Sequence, residues 1–313
     1  MVEKRIASMG VKAGYPPGVA YIDGQYVSMS DAKLSILDWG FLHSDATYDV
    51  VHVWNGSFFR LHDHIARFNR GIQKLRMSLP ISQDDLIEIL KECVRRSGLR
   101  SAYVEMICTR GVPLPGARDP RTATNRFYAF AIPFVWIADP EKQKVGLNLA
   151  ISEVLRIPES SVDPTIKNYH WLDLVKGLFE AYDRGAETAV LTDIRGTVVE
   201  GPGFNIFVVK NGRISTPKDG VLSGITRQTI IEIVREDGLP IDERAVPAHE
   251  LRSADEVFIS STAGGVMPVT RIEGRPVGSG KPGSAYESVH RRYWSLHESA
   301  QFTVPVGYRE AVD

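Results

Sequence analysis

The sequence predicts an α+β protein built as two domains, and three observations carry that reading. Two-residue hairpin signals, Asp23-Gly24, Asn55-Gly56 and Asn211-Gly212, recur between apolar β-type runs. Helical apolar spacing alternates with strand-like runs through the second half. Near the middle of the 313 residues, a length suited to about two domains, a polar, proline-containing stretch separates two apolar runs. The expected division is a small N-terminal α/β domain over residues 1–137, a linker over 138–144 and a large domain over 145–313. The large domain should hold mainly antiparallel strands with flanking helices.

Each element has a local cause. Residues 18–22 and 25–27 read as strands because glycine after aspartate supplies the positive φ of a tight turn. The same device joins 48–54 to 57–60. Leu61, Ile65, Phe68, Ile72 and Leu75 then fall on one face of a helix. Ser82 caps a second helix that runs to about Arg96, with Gly98 as its stop. Residues 102–109 and 127–136 are long β-type runs, and the Gly-, Pro- and Arg-rich segment 110–126 between them is expected to be loop. The second half reads as strand 147–154, helix 171–183, strands 188–192 and 204–209, helix 227–236, strand 256–260 and a terminal helix over 284–296. No internal repeat, low-complexity tract or coiled-coil heptad interrupts this order.

Composition removes several function classes. Thirty-seven Lys and Arg against 38 Asp and Glu give a net charge of -1 and a pI near 6.7. That balance argues against a dedicated nucleic-acid binder, which concentrates basic residues on one face. Apolar residues at 43% suit a soluble globular chain. Cys93 and Cys108 are too few for a disulfide framework or a cysteine-based zinc site, and they fit small buried hydrophobes in a reducing cytoplasm. Residues 1–14 lack the apolar core of a secretory signal, and no run reaches the roughly 18 apolar residues of a spanning helix. A soluble, cytoplasmic protein is expected.

The motifs lead part of the way to chemistry. The chain has neither a G-x-x-x-x-G-K-[ST] loop nor a G-x-S-x-G elbow. His62 and His64 lie two apart on a helix and do not face each other, so they read as solvated histidines and not as metal ligands. Gly201-Pro-Gly203 marks a turn. Val221-Leu-Ser-Gly224-Ile-Thr226 enters a helix through a glycine, so its free backbone N–H groups suit an anion; a plain helix cap is the bland alternative. Ser260-Ser-Thr262-Ala-Gly-Gly-Val266 puts hydroxyls and small residues at the end of a strand, and the two loops together point to a phosphorylated ligand. Lys167, among apolar and aromatic neighbours, suits a desolvated amine that forms Schiff bases, although a surface lysine fits as well. Glu200 reads as an edge-strand carboxylate. The residues by themselves reach a phosphate site and a set of acids and bases, and no reaction.

Taken together these segments resemble the fold-type IV pyridoxal-phosphate enzymes, from Gly18 to the terminal helix. Tyr48-Asp-Val50, Asn55-Gly56 and Leu61-x-x-His64-x-x-Arg67 look like that family's small domain. Pro164-Thr-Ile-Lys167-Asn looks like its Schiff-base segment, and Glu200-Gly-x-x-x-Asn205 and Gly224-Ile-Thr-Arg227 complete the order. Within the family the pattern is closest to the (R)-selective amine:pyruvate transaminases, through His43-Ser-Asp-Ala-Thr-Tyr48, Lys167-Asn-x-x-Trp171 and Thr262-Ala-Gly-Gly-Val-Met-Pro268. Branched-chain aminotransferases usually carry a tyrosine where this chain has Leu172. D-amino acid transaminases carry an Arg-x-His where this loop reads Arg118-Asp-Pro.

The resemblance implies a pyridoxal-phosphate-dependent aminotransferase acting on (R)-amines or D-alanine with pyruvate, and a homodimer. D-amino acid and branched-chain aminotransferases are the nearest alternatives, and an aminodeoxychorismate-type lyase the next. Lys167 would attach the cofactor and move the proton. Glu200 would face its ring nitrogen. Arg67, the amides of Ile225 and Thr226 and the Thr262 hydroxyl would hold its phosphate. Tyr48 would line the substrate pocket beside the lysine, with His43, Val50, Trp136 and Trp171 as further walls. Arg118 would be the arginine that meets a substrate carboxylate. No metal is implied.

Overall fold

A computed structural model describes residues 14–308, so the expectation for the chain start falls almost wholly outside the described residues. The chain forms two compact units. One contains residues 14–135, Ile166–Tyr169 and residues 299–308; the other contains Trp136–Thr165 and His170–Glu298. This division differs from a single cut at residues 138–144. Both late insertions have a local cause: the Lys167 carbonyl accepts from the Tyr48 amide at 3.0 Å, and Thr303–Pro305 pairs with the strand Ser57–Phe59. Residues 138–144, expected as linker, instead carry a short helix, because Asp139 caps it through the Lys142 amide at 2.7 Å and Pro140 suits a first helical position.

The first unit opens with β1 (Val19–Ile22) and β2 (Gln25–Ser28), then α1 (Trp39–His43), β3 (Ala46–Trp54) and β4 (Ser57–Phe59). Both hairpins turn as the sequence implies, with Asp23 and Gly24 at φ 47° and 79°, and Asn55 and Gly56 at 48° and 86°. Helices α2 (Leu61–Lys74) and α3 (Gln83–Ser97) precede β5 (Ala102–Val112) and β6 (Thr124–Pro133). Ser82 caps α3, and Gly98 ends it at φ 71°. Strands β5 and β6 therefore reach into the stretch expected as loop, where a 3₁₀ turn also forms at Pro120–Thr122. The seven strands run Thr303–Pro305, β4, β3, β5, β6, β1, β2, and every pairing is antiparallel.

Side-chain alternation gives this sheet two unlike faces. Val51, Val53, Val104, Met106, Cys108, Phe127 and Ala129 join Leu61, Ile65, Phe68, Leu86 and Leu90 in one apolar core. Burying such side chains contributes about 1.5–3 kcal/mol each relative to exposure. The residues between them, Tyr48, Val50, Tyr103, Glu105, Tyr128 and Phe130, project from the opposite face.

In the second unit α4 (Pro140–Val145) leads into β7 (Leu147–Leu155), α5 (Leu172–Asp183), β8 (Thr188–Thr192), β9 (Asn205–Lys210) and β10 (Arg213–Thr216). Then follow α6 (Ile225–Glu236), β11 (Ile241–Glu243), α7 (Ala248–Arg252), β12 (Glu256–Ser261), β13 (Gly265–Ile272), β14 (Arg275–Pro276) and α8 (Ser284–Ser295). The sheet order is β11, β10, β9, β12, β13, β7, β8, with β14 on β13. Pairings among β9, β10, β12, β13 and β14 are antiparallel, while β11, β7 and β8 join in parallel. Strand β13 is absent from the sequence reading because its core, Val266, Met267 and Val269, follows two glycines and carries Pro268. No described helix is long and apolar enough to cross a membrane.

One half-buried histidine sets a pH limit on the second unit. His297 stacks on Trp294 at 4.7 Å, and burial pushes its pKa down to about 4 against hydrogen bonds to backbone carbonyls. The unfolded chain then binds a proton near pH 6.5 that the folded chain refuses, so stability is full above that pH and falls as pH drops toward 4. Thermal unfolding followed between pH 7 and pH 4 should show this decline, and His297→Gln should flatten it. An unchanged slope in the variant would assign the decline to other groups.

Candidate active site

In the first unit, α2 and β3 are joined by a buried charge cluster. Asp49 lies on the helix-covered face of β3 and is fully buried. Its carboxylate accepts from Arg67 Nε at 2.7 Å and Nη2 at 2.8 Å, and lies 2.8 Å from His64 Nδ1. Burial by itself would raise the Asp49 pKa, but the Arg67 charge and these hydrogen bonds hold it well below the usual carboxylate range. Burial pushes the His64 pKa down against the pull of Asp49, which favours the neutral ring. His64 is thus a buried partner of Asp49 and not the solvated residue its spacing suggested, whereas His62 is exposed. The fork fixes Arg67 in one orientation.

Lys167 stands on the opposite face. Its carbonyl accepts from the Tyr48 amide at 3.0 Å and from Thr47 Oγ1 at 2.8 Å, and Asn168 bridges to Thr47. Gly71 on α2 permits this closeness, since a Cβ there would lie 2.7 Å from Thr47 Oγ1. The Lys167 ammonium sits 4.5 Å from the centroid of the Tyr48 ring. Tyr169 stacks on that ring at 4.3 Å, and its hydroxyl donates to Glu105 Oε1 at 2.7 Å. Tyr103 donates to the second Glu105 oxygen at 3.2 Å. Val50 is buried directly across from Glu105 in the β3–β5 register.

His43 and Arg118 are not drawn into this cluster. His43 ends α1, exposed, with its ring edge-on to Trp39 at 4.8 Å. Arg118 is exposed on the loop before Pro120–Thr122 and makes no hydrogen bond or ion pair among the described residues, while nearby Arg121 is tied to Asp119.

In the second unit, Glu200 is buried and held from two sides. One carboxylate oxygen lies 3.3 and 3.2 Å from Arg156 Nε and Nη2, and the other accepts the Leu222 amide at 3.0 Å. Arg156 is itself held by Asp173 at 2.7 Å. Glu200 is therefore a member of a buried ion network and not an edge-strand carboxylate. The loop it braces leads into α6, which has no side-chain cap. Gly224 has an ordinary φ of −63°, so its glycine is required by proximity: a Cβ would fall 2.1 Å from Asn205 Oδ1. The first turn of α6 presents Ile225 and buried Thr226. Thr262 sits in the turn between β12 and β13. Half-buried Trp171 precedes α5, with its ring beside Gly203, and half-buried Trp136 lies 6.1 Å from Trp294.

Each unit taken by itself offers groups of the kind a phosphorylated carbonyl cofactor needs: the first a cation locked by a fork and an amine over an aromatic face, the second a helix start without a side-chain cap and a fixed carboxylate. The sequence reading missed Asp49, Glu105, Tyr169, Arg156 and Asp173. A signal for Asp49 existed, because His64 and Arg67 share a helix face and a charge on a buried strand face needs a partner. Asp49→Asn should leave the Arg67 charge buried and uncompensated, lowering stability by about 3 kcal/mol in urea unfolding. No change in the unfolding midpoint would mean that other groups balance Arg67.

Comparison with known proteins agrees with this geometry. The model of the amino-transferase class IV family matches residues 46–272. The D-alanine aminotransferase of Bacillus licheniformis is 33% identical over 271 residues, covering 85% of this chain and 93% of that protein. The putative branched-chain-amino-acid aminotransferase of Methanocaldococcus jannaschii is 32% identical over 275 residues, covering 87% and 94%. The structure of the branched-chain amino acid aminotransferase from Thermobaculum terrenum in its PLP-bound holo form aligns with a TM-score of 0.84 at 25% identity, over 93% of this chain and 99% of that one. With its α+β fold, its fixed carboxylate and its lysine set over an aromatic ring, the chain belongs to the amino-transferase class IV family.

Proposed function

We propose that this pyridoxal-phosphate-dependent aminotransferase moves the amino group between an (R)-amine or D-alanine and pyruvate or a related 2-oxo acid or ketone. The observation that carries the reading is Lys167, whose backbone is pinned to β3 while its amine lies on the Tyr48 ring. Pyridoxal phosphate, when bound, supplies an electron sink for the carbanion formed at the substrate carbon. Lys167 would hold the cofactor and would carry the proton to and from that carbon. Glu200, fixed by Arg156 and the Leu222 amide, favours a proton on the ring nitrogen. Arg67 in the first unit, and the Ile225 and Thr226 amides and the Thr262 hydroxyl in the second, are the donors that would serve the cofactor's phosphate. Tyr48 and Val50 in the first unit and Trp171 in the second are the residues assigned to the substrate side, and His43, although exposed at the end of α1, would be a further contact.

The choice among substrates rests on Leu172 in place of a tyrosine, and on Arg118. A carboxylate substrate needs a cationic fork, but a simple amine would leave that charge desolvated and unpaired. An exposed arginine on a Gly/Pro-rich loop suits both partners. The similarity to D-alanine and branched-chain aminotransferases supports a D-amino acid or branched-chain substrate as the second reading. A homodimer in the cytoplasm completes the proposal. Exposed Ile36, Leu37, Phe41 and Leu42 in the first unit, and Leu172, Phe179 and Tyr182 along α5, are apolar surface of the kind a second copy covers.

Half-reactions that follow the cofactor spectrum test this reading. D-alanine and an (R)-aryl-alkyl amine should convert the wild-type chromophore, and L-leucine and the (S)-amine should not; the reverse pattern would favour a branched-chain enzyme. Lys167→Ala should abolish turnover while pyridoxal phosphate still binds through its phosphate, and near-normal turnover in that variant would remove Lys167 from the chemistry. Arg118→Ala should slow the half-reactions of D-alanine and pyruvate and largely spare that of the (R)-amine. Equal losses on both sides would make Arg118 structural.

A further inference from the structure

Within the first unit a buried carboxylate stands behind the lysine through two aromatic rings. Glu105 is on β5, on the face that carries Tyr48 and Val50, and is 8% exposed. A carboxylate so placed needs donors, and it has two phenols: Tyr169 at 2.7 Å and Tyr103 at 3.2 Å. The Tyr169 ring lies flat on the Tyr48 ring, with centroids 4.3 Å apart and planes 12° from parallel. The Lys167 ammonium lies 4.5 Å from that same Tyr48 ring. One run of contacts therefore leads from Glu105 through Tyr169 and Tyr48 to the amine. An apolar residue at position 105 would fill the space but would leave both phenols without their acceptor.

We propose that Glu105 is a positioning residue for the chemistry at Lys167: it anchors the Tyr169 phenol, so that the Tyr48–Tyr169 stack holds its electron-rich face against the Lys167 nitrogen and raises the proton affinity of that nitrogen. An aromatic face attracts a cation only when the ring is held close and square to it. Burial raises the Glu105 pKa, and the hydrogen bonds from Tyr169 and Tyr103 and the Lys167 charge offset only part of that rise. Coupling is reciprocal, so where Glu105 is ionised it favours a proton on the Lys167 nitrogen. Tyr48 faces this cluster from β3, while Asp49, on the other face of that strand and paired with Arg67, acts on Glu105 only through its charge. The inference rests on the assignment of Lys167 as the cofactor lysine and deepens it.

The test is a pH titration of the visible absorbance of holoenzyme reconstituted with pyridoxal phosphate, for wild type, Glu105→Gln and Tyr169→Phe. Glu105→Gln keeps an acceptor but removes the charge; Tyr169→Phe keeps the stacked ring but removes the tie. The midpoint of the Lys167-linked chromophore should fall by roughly one unit in Glu105→Gln, and by less in Tyr169→Phe. A residue that only supports the fold would lower thermal stability and leave the midpoint in place, and that result overturns the proposal. If Glu105→Gln does not fold, an unmoved midpoint in Tyr169→Phe overturns it equally. If the wild type shows no chromophore that Lys167→Ala removes, the lysine assignment fails first and this inference falls with it. A chromophore that is present but unmoved in both variants refutes the role of Glu105 alone.

Discussion

The Asp49–Arg67 pair is the constraint from which the lysine's place in the first unit follows. Apolar packing between α2 and β3 is non-directional, and it would tolerate a small rotation or slide of the helix. The bidentate fork tolerates neither, because both guanidinium nitrogens must meet one buried carboxylate while His64 approaches the same group. With α2 held in that register, Gly71 comes to lie against Thr47, and only a residue without a side chain fits there. Glycine inside a helix costs about 1 kcal/mol relative to alanine. That loss is offset here by a geometry in which Thr47 and Tyr48 can both reach the Lys167 carbonyl.

The two faces of the same sheet divide the labour. The helix-covered face supplies burial and hence most of the stability. Against the other face, as at Asp49 on the first, lie carboxylates that would be expensive to bury without donors. Each is provided for: Asp38 receives the Gly40 amide at 2.7 Å, Thr109 Oγ1 at 2.9 Å and the Tyr128 hydroxyl at 3.2 Å, and Glu105 receives two phenols. The second unit follows the same rule, with Glu200 and Asp173 sharing Arg156. Networks satisfied in this way are rigid, since loosening one member strands another in a low-dielectric setting.

Much of the fold was legible because its signals are local. The Asp23-Gly24 and Asn55-Gly56 turns, the Ser82 cap and the Gly98 stop each depend on a few adjacent residues, and each lies where expected. Strand β13 was not legible, since its glycines and proline oppose strand propensity and only pairing with β12 and β7 overrides them. The short helix at residues 140–145 shows the reverse error, in which a polar composition concealed a well-formed cap. Among the candidate site residues, Lys167, Glu200 and Arg67 were singled out by resemblance, as isolated residues in ordered motifs. Their supports Asp49, Glu105 and Arg156 were not, because hydrogen bonds that span 18, 64 or 44 positions leave no periodic trace in the sequence.

The arginines show how burial sorts one side chain into different uses. Arg67 and Arg156 are almost wholly buried, and each is held by carboxylates, so neither can be withdrawn when a partner leaves. Such a cation suits an anion that stays in place. Arg121 is spent on Asp119 two residues away, an exposed pair worth little to stability. Arg118 also keeps its charge in water but has no carboxylate partner among the described residues, and there an absent partner carries almost no desolvation penalty. An exchange of a charged substrate for an uncharged one imposes this last requirement: the cation that meets a carboxylate must be stable without it. The buried arginines fail that condition, and Arg118 satisfies it.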